Sequence, residues 1–170
     1  MKTLYIVRHA KSSWDHPGLE DHQRPLIEKG KKRTRYVIDY LQDHEVRVDL
    51  LMSSHAVRAH ETAKLIAEGI QYPLSDIQVS KDLYFGYADG LFDVFYEVSD
   101  DVDSVMIVGH NPTFTYFANN FLDKKIDNLP TSAVVCIAFD TKHWSEIQHS
   151  ERKVKFVISP RLLKQNRSSD

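Results

Sequence analysis

The chain has 170 residues, of which 42% are hydrophobic and 27% charged, a composition typical of one globular domain and unlike that of disordered or collagen-like chains. Its 22 Lys and Arg nearly balance its 24 Asp and Glu, for a formal net charge of −2, which argues against a protein that mainly coats nucleic acid. No apolar run approaches the roughly 18 residues of a membrane span, and the apolar run before Arg8 is too short for a signal-peptide core. We therefore expect a single cytoplasmic domain over residues 1–170, with neither a membrane nor a nucleic acid as partner.

Short apolar runs along the chain predict five strands, at 3–7, 48–52, 104–108, 133–139 and 154–158. The runs that end near Val7, Met52 and Val108 are mostly continuous rather than alternating, as in strands that are buried on both faces. Cys136 lies within the fourth run and is expected to pack in the core. The polar C-terminal segment KQNRSSD is expected to fray.

Helical periodicity fills the segments between the strands. After Glu28 one face carries Thr34, Val37, Ile38 and Leu41, and in 56–68 one face carries Ala59, Ala63, Ile66 and Ala67. Gly69 is the predicted residue just beyond the second helix. Two further helices are predicted to start at an Asp89 cap and at Asn111-Pro112; their inward faces carry Leu91, Val94, Phe95 and Val98 in the first, and Phe114, Phe117, Phe121 and Leu122 in the second.

Alternation of strands and helices predicts an α/β fold with three α/β/α layers and a mostly parallel central sheet. Such sheets bind ligands beyond the carboxyl ends of their strands. Arg8 and His9 follow the first predicted strand, Arg58 lies one helical turn beyond the second, and His110 follows the third. Two guanidiniums and two imidazoles would converge in one crevice, where forked Arg donors suit a phosphate group.

Nine histidines also raise the possibility of a metal site. However, His55 and His60 are five residues apart and would lie on different helix faces, and no H-E-x-x-H motif occurs. The remaining histidines have polar surroundings and are expected to be exposed: His16, His22, His44, His143 and His149. We therefore predict no metal ligands. The Cys-x5-Arg pattern of cysteine phosphatases is also absent, because residue 142 is Lys.

Several blocks carry a family resemblance. VRHAKSSWD, SSHAVRAHETA and VGHNPTF resemble the three signature blocks of the phosphoglycerate mutase-like histidine phosphatase superfamily. RHAKSSW, DHQRPLIEKG at 21–30, GHNP and LPTSAVV resemble in particular the small SixA-type phosphohistidine phosphatases. The resemblance covers nearly the whole chain and implies the phosphoglycerate mutase-like version of the α/β fold.

The resemblance implies a metal-independent phosphatase that needs no cofactor. His9 would be the nucleophile that carries a phosphohistidine intermediate, and Arg8, Arg58 and His110 would bind the transferring phosphoryl group. Repulsion from the two arginines would keep His9 unprotonated, and its second ring nitrogen would donate to a backbone carbonyl. Ser12 and Trp14 are further candidates for substrate binding.

The chain departs from the superfamily pattern at four positions. Ala10 replaces a Gly, which indicates a need for a small residue rather than for positive φ. Asp15 replaces an Asn, and Ile27 replaces a Thr that would cap the next helix. In KDLYFGYADG, Tyr84 stands where the superfamily has a Glu that acts as general acid.

This missing acid bears on the substrate, because an imidazole leaves more easily than an alkoxide. Either Asp82 or Asp15 could replace the acid, or there is none. The expected substrate is a protein phosphohistidine. The alternatives are a phosphatase or mutase of a small phosphoester such as a sugar phosphate, and a catalytically weak module that binds a phosphorylated ligand. The oligomeric state and the pathway stay open.

Overall fold

The computed structural model describes residues 1–169. A six-stranded sheet has the order β3-β2-β4-β1-β5-β6. Its strands are β1 (Lys2–Arg8), β2 (Leu50–Ser54), β3 (Gln78–Ser80), β4 (Ser104–Gly109), β5 (Val134–Phe139) and β6 (Arg152–Ile158). Neighbours from β3 to β1 pair in parallel, whereas β5 is antiparallel to both β1 and β6. The mostly parallel sheet predicted from the sequence is thereby confirmed.

Six α-helices and three short 3-10 helices connect the strands in the described part of the chain. The α-helices are α1 (Glu28–Asp43), α2 (Val57–Gly69), α3 (Asp82–Phe85), α4 (Ala88–Tyr96), α5 (Thr113–Asn119) and α6 (Pro160–Ser169). The 3-10 helices are Asp21–Gln23, Leu74–Asp76 and Trp144–Glu146. Among residues 1–169, no helix is long and apolar enough to cross a membrane.

Two apolar layers enclose the sheet, as the alternation of side chains along each strand requires. Leu4 and Ile6 of β1 point into one layer with the aromatic faces of α4 and α5. Tyr5 and Val7 point into the other layer with α1 and α2. The predicted inward residues of the first, second and fourth helices are all buried, although Phe121 and Leu122 lie beyond the end of α5; Cys136 is buried in the core. In α4, Leu91 and Phe95 are buried as predicted, Val94 is only partly buried, and Phe92 is buried as well; Val98 is partly buried beyond the end of that helix.

Two strands differ from the prediction because polar or exposed residues interrupt the apolar runs on which it depends. The second strand was predicted at 48–52 but runs over Leu50–Ser54, because Ser53 and Ser54 are completely buried strand residues. The edge strand β3 was not predicted, since it has only three residues and none of them is buried. It carries no apolar run that would indicate a strand.

Two predicted helix ends, at Gly69 and at Asp89, were wrong. Gly69 is the last residue of α2, and Gln71 adopts the positive φ of 61° beyond it. A Cβ on Gly69 would lie 2.3 Å from Ile38 Cγ2, so the glycine permits close packing of α2 on α1. Asp89 lies in the first turn of α4, and Tyr87 is the residue before that helix. Residues 164–169 of the C-terminal segment that is expected to fray belong to α6, and Arg167 Nη2 donates to Asp39 of α1 at 3.0 Å; residue 170 lies outside the described residues.

The start of α5 also lies later than predicted. Pro112, not Asn111, immediately precedes the helix. The Asn111 side chain nevertheless accepts hydrogen bonds from the Thr115 N–H at 3.2 Å and from Thr115 Oγ1 at 2.8 Å. Asn111 therefore satisfies a free N–H of the first turn, as a cap does.

Candidate active site

A cavity of about 550 Å³ lies at the carboxyl edge of the sheet. The strands β2, β4 and β1 are adjacent and parallel, so the segments that follow them meet there. The cavity is lined by all the predicted site residues, Arg8, His9, Ser12, Trp14, Arg58 and His110. It is also lined by residues that were not predicted as site residues: Lys11, Asp21, Arg24, Arg33, Asn111 and Thr131.

The imidazole of His9 is held in one tautomer. Its Nδ1 lies 2.6 Å from the Ala10 carbonyl oxygen, which can only accept a hydrogen bond, so Nδ1 carries the proton and Nε2 keeps a lone pair. Burial, the largest cause, and the charges of Arg58 and Arg8 together lower the pKa of His9 to about 4 against the opposing Ala10 hydrogen bond. Repulsion from the arginines, which the sequence predicts, is therefore the smaller cause.

The second imidazole, of His110, packs against the first with ring centroids 5.1 Å apart. Its Nε2 lies 2.8 Å from Ser54 Oγ, and this hydroxyl oxygen also accepts the Ala56 N–H at 3.2 Å. Burial, followed by the charges of His9 and Arg58, lowers the pKa of His110 to about 2. Among the described residues, the buried Nδ1 of His110 has no hydrogen-bond partner.

Both predicted arginines are held through Nη atoms of their guanidiniums. Arg8 Nη1 donates to the Leu129 carbonyl at 3.0 Å, and Arg58 Nη1 donates to the Asp21 carbonyl at 2.7 Å. The buried Nε atoms of Arg8 and Arg58 have no partner within residues 1–169. Two guanidiniums with spare donors beside a neutral imidazole form a site suited to a phosphoryl group.

Backbone contacts position the segment that carries Arg8 and His9. Ser132 adopts a positive φ of 60°, and its N–H points at the carbonyls of Arg8 at 3.0 Å and His9 at 3.1 Å. Its hydroxyl is 2.7 Å from that of Thr34 in α1. Ala10, which follows His9, is fully buried and has no positive φ, as predicted. It donates its N–H to Thr62 Oγ1 at 2.9 Å.

Asp21 is the centre of a charged cluster that sequence reasoning did not place in the site. Its Oδ2 accepts from Arg58 Nη2 at 2.8 Å and from the Tyr84 hydroxyl, and its Oδ1 accepts from Arg24 Nε at 3.1 Å. Burial alone would raise the pKa of Asp21, but the hydrogen bonds and positive charge of these neighbours hold it far below its usual range. In the sequence, the i,i+3 spacing of Asp21 and Arg24 favours an ion pair between them, but nothing local indicates the contact of Asp21 with Arg58.

The two weaker candidates, Ser12 and Trp14, lie at the edge of the cavity. Ser12 Oγ accepts a hydrogen bond from Arg24 Nη1 at 3.0 Å. Trp14 is 78% exposed, and the Arg24 guanidinium lies 3.6 Å over its ring. Arg24 thus connects both residues to Asp21.

Neither carboxyl group considered as a replacement acid lines the cavity. Asp82 begins α3 and is exposed, and Asp15 is exposed in the segment after β1. Tyr84 does lie beside the site, with its ring 5.1 Å from that of His110. Burial and the Asp21 carboxylate raise the pKa of Tyr84, so its hydroxyl stays protonated and donates to Asp21.

Two histidines expected to have no connection with the site lie next to it. His55 packs against Tyr84 with ring centroids 5.0 Å apart, and His22 stacks on His55 at 5.6 Å. Polar neighbours in the sequence suggested exposure for His22, but it is only partly exposed. Within the described residues, no three His, Cys, Asp or Glu side chains are grouped as metal ligands.

Comparison with known proteins identifies the class to which this fold and site belong. The family model described as the histidine phosphatase superfamily (branch 1) matches residues 4–98. The chain therefore belongs to the histidine phosphatase superfamily.

Within that superfamily the chain is similar to SixA proteins, as its motifs predicted. It is 23% identical to the phosphohistidine phosphatase SixA of Escherichia coli over 140 residues, which cover 81% of this chain and 85% of that protein. The crystal structure of the putative phosphohistidine phosphatase SixA of Agrobacterium tumefaciens has the same fold, with a TM-score of 0.79, 24% identity, and coverage of 94% of this chain and 98% of that one. An uncharacterised protein of Mycobacterium tuberculosis is 26% identical over 152 residues, 84% of this chain and 92% of its own.

Proposed function

We propose that the protein is a phosphatase that hydrolyses protein phosphohistidine through a phosphorylated His9 intermediate. The observation that carries the proposal is the His9 imidazole, which is neutral, fixed by the Ala10 carbonyl, and set in a cavity with Arg8, Arg58 and His110. Membership of the histidine phosphatase superfamily supports phosphatase activity. The similarity to SixA supports the choice of substrate.

In the first step the Nε2 lone pair of His9 attacks phosphorus. The substrate's imidazole carries a proton on its other ring nitrogen, so when the bond from phosphorus to its first nitrogen breaks, the electron pair leaves with a neutral imidazole. The spare donors of Arg8 and Arg58 hold the phosphoryl oxygens as charge spreads over them, so the protein acts through positioning and charge stabilisation. No step requires a metal ion, because the guanidiniums supply the positive charge.

In the second step water attacks the phosphorylated His9. The bond between phosphorus and Nε2 breaks, the electron pair returns to His9, and the water proton leaves with the phosphate product or solvent. The Nδ1 hydrogen bond to Ala10 persists through both steps. The same tautomer therefore receives the phosphoryl group and releases it.

The state of Asp21 favours a P–N bond over an alkyl phosphate. Asp21 supplies the one carboxyl group among the described residues that line the cavity, and its lowered pKa keeps it ionised. It cannot supply the proton that an alkoxide leaving group needs. An imidazole depends less on such a donor.

The test compares wild type, His9→Ala and His149→Ala, in which an exposed histidine is removed, on a phosphohistidine peptide, an aryl phosphate and a sugar phosphate. We expect a kcat/KM on the peptide at least about 100-fold above that on the sugar phosphate. His9→Ala should lose a factor of about 10³ or more on every substrate, and a chelator should leave the wild-type rate unchanged. His149→Ala should behave as wild type.

Each part of the proposal has its own contrary result. Activity that survives in His9→Ala would remove His9 as the nucleophile. Equal turnover of peptide and sugar phosphate would refute the substrate assignment while leaving the intermediate in place. Phosphate binding without turnover of any substrate would indicate a binding module.

A further inference from the structure

A wide groove of about 680 Å³ lies along α1 and α6. In the described part of the chain, the charged residues that line it are all basic: Lys29, Lys32, Arg33, Arg35, Lys164 and Arg167. The whole chain has a net charge of −2. The positive charge is therefore concentrated here by the fold.

Three cations of α1 that line the groove have no partner among the described residues. Arg35 shares the Asp39 carboxylate with Arg167, at 3.0 Å each. Lys29, Lys32 and Arg33 are exposed and have no ion pair or hydrogen bond from their side chains to residues 1–169. Lys29 lies in the first turn of α1, where the helix dipole disfavours positive charge. These three cations therefore have no partner in the described fold and are available to an external anion.

The groove borders the candidate active site. Arg33 lines both the groove and the cavity that contains His9. A polypeptide whose phosphorylated side chain reaches His9 would bring its neighbouring residues past Arg33 and onto α1.

We propose that the groove binds an acidic segment of the substrate protein, next in sequence to the phosphorylated residue. This inference rests on the proposed function, since it assumes a polypeptide substrate. Complementary charge of this kind orients a partner and speeds its association. The enzyme would thereby select phosphohistidines that have Asp or Glu nearby.

Two other anionic ligands fit the groove less well. A small oxyanion needs fixed donors, whereas Lys29, Lys32 and Arg33 are long, exposed side chains without an internal anchor. Single-stranded nucleic acid needs a free aromatic surface for its bases, but Arg167 already lies 4.8 Å over the Tyr36 ring in the groove.

Two synthetic phosphohistidine peptides test the proposal, one with four Glu beside the phosphohistidine and one with Gln at the same positions. At low salt we expect the wild type to prefer the Glu peptide by about tenfold in kcat/KM, with the preference lost at high salt. The variant Lys29→Glu/Lys32→Glu should lose the preference and keep its wild-type rate on an aryl phosphate. It should fold, because both residues are exposed and Glu at residue 29 is favoured in the first turn of α1.

The matched control, Lys124→Glu/Lys142→Glu, changes the net charge equally at exposed residues that line neither the groove nor the cavity. It should retain the preference for the Glu peptide. Equal hydrolysis of both peptides by the wild type would overturn the groove proposal alone. Hydrolysis of the aryl phosphate but of neither peptide would overturn the proposed substrate. Binding of tripolyphosphate that disappears in Lys29→Glu/Lys32→Glu, without any peptide preference, would assign the groove to small anions and refute the proposal.

Discussion

Asp21 and Arg58 are joined at two points. Arg58 Nη2 lies 2.8 Å from Asp21 Oδ2, and Arg58 Nη1 donates to the Asp21 carbonyl at 2.7 Å. The contact fastens the segment between β1 and α1 to the start of α2. It also places a carboxylate on the guanidinium that the proposed mechanism uses to bind the phosphoryl group.

Asp21→Asn should bind phosphate or tungstate more tightly than the wild type. The amide can still accept from Arg58, so the guanidinium keeps its orientation, but the negative charge that opposes an anion is gone. At an effective dielectric constant of about 20, one nearby charge is worth roughly 1–3 kcal/mol, which corresponds to an inhibition constant about 5- to 150-fold lower.

The measurement is competitive inhibition by each anion at constant ionic strength. Asp82→Asn is the control, because it removes the same charge from an exposed residue that does not line the cavity. Weaker anion binding by Asp21→Asn than by Asp82→Asn would show that the carboxylate helps to hold the anion, contrary to this prediction.

The imidazoles of His9 and His110 should stay neutral well below the ordinary pKa of about 6.5. Burial lowers these pKa values to about 4 and about 2. NMR titration of the ring carbons should therefore show no protonation of either residue between pH 7.5 and 5.5. His143 serves as an internal control, since its hydrogen bond with Asp100 raises its pKa. A midpoint for His9 near 6.5 would contradict the prediction.

The same pKa values predict how stability depends on pH. Because both folded-state pKa values lie below those of the unfolded chain, the unfolded state binds more protons below about pH 6.5, and stability falls as the pH decreases. The contribution of His9 to the free energy of unfolding is fully present above about pH 6.5. It decreases by roughly 1 kcal/mol per pH unit towards pH 4. Urea unfolding at pH 7.5 and 5 should show a smaller pH effect for His9→Gln than for the wild type. Equal pH effects in the two proteins would disprove the assignment.

Much of the site could be predicted because its residues follow apolar strands. Arg8, His9 and His110 stand directly after such strands, and parallel pairing of β1, β2 and β4 brings their ends together. Asp21 could not be placed in the same way. It lies on a short 3-10 helix without buried residues, and its contact with Arg58 spans 37 residues of sequence, which no local pattern encodes. One feature at the start of α1 was predictable. Ile27 precedes that helix and provides no side-chain cap, as expected for an apolar residue in place of Thr.

Gly30→Ala should damage both stability and activity. A Cβ at residue 30 would lie 2.3 Å from the Lys11 carbonyl oxygen, so the backbone beside Ser12 or helix α1 must move. We expect a loss of about 1–3 kcal/mol in the free energy of unfolding and a lower kcat/KM. Gly90→Ala is the matched control, because a Cβ there meets no atom within 4 Å in helix α4. It should raise stability by up to about 1 kcal/mol without altering activity, and a similar loss in both variants would refute the steric argument.

Ser54→Ala should lower kcat by acting through His110. Since Ser54 Oγ accepts the Ala56 N–H, its own proton is free to be donated to His110 Nε2, which leaves the proton of a neutral ring on Nδ1. That atom has no partner among the described residues and can donate to a phosphoryl oxygen. Without the hydroxyl the ring can also adopt the tautomer with its proton on Nε2, so we expect kcat to fall by about tenfold with little change in KM.

The His110 nitrogen shifts in NMR should show mixed tautomers in Ser54→Ala, whereas Ser54→Thr should restore both the single tautomer and the rate. A reduced kcat with unchanged nitrogen shifts would mean that Ser54 acts on packing and not on the tautomer.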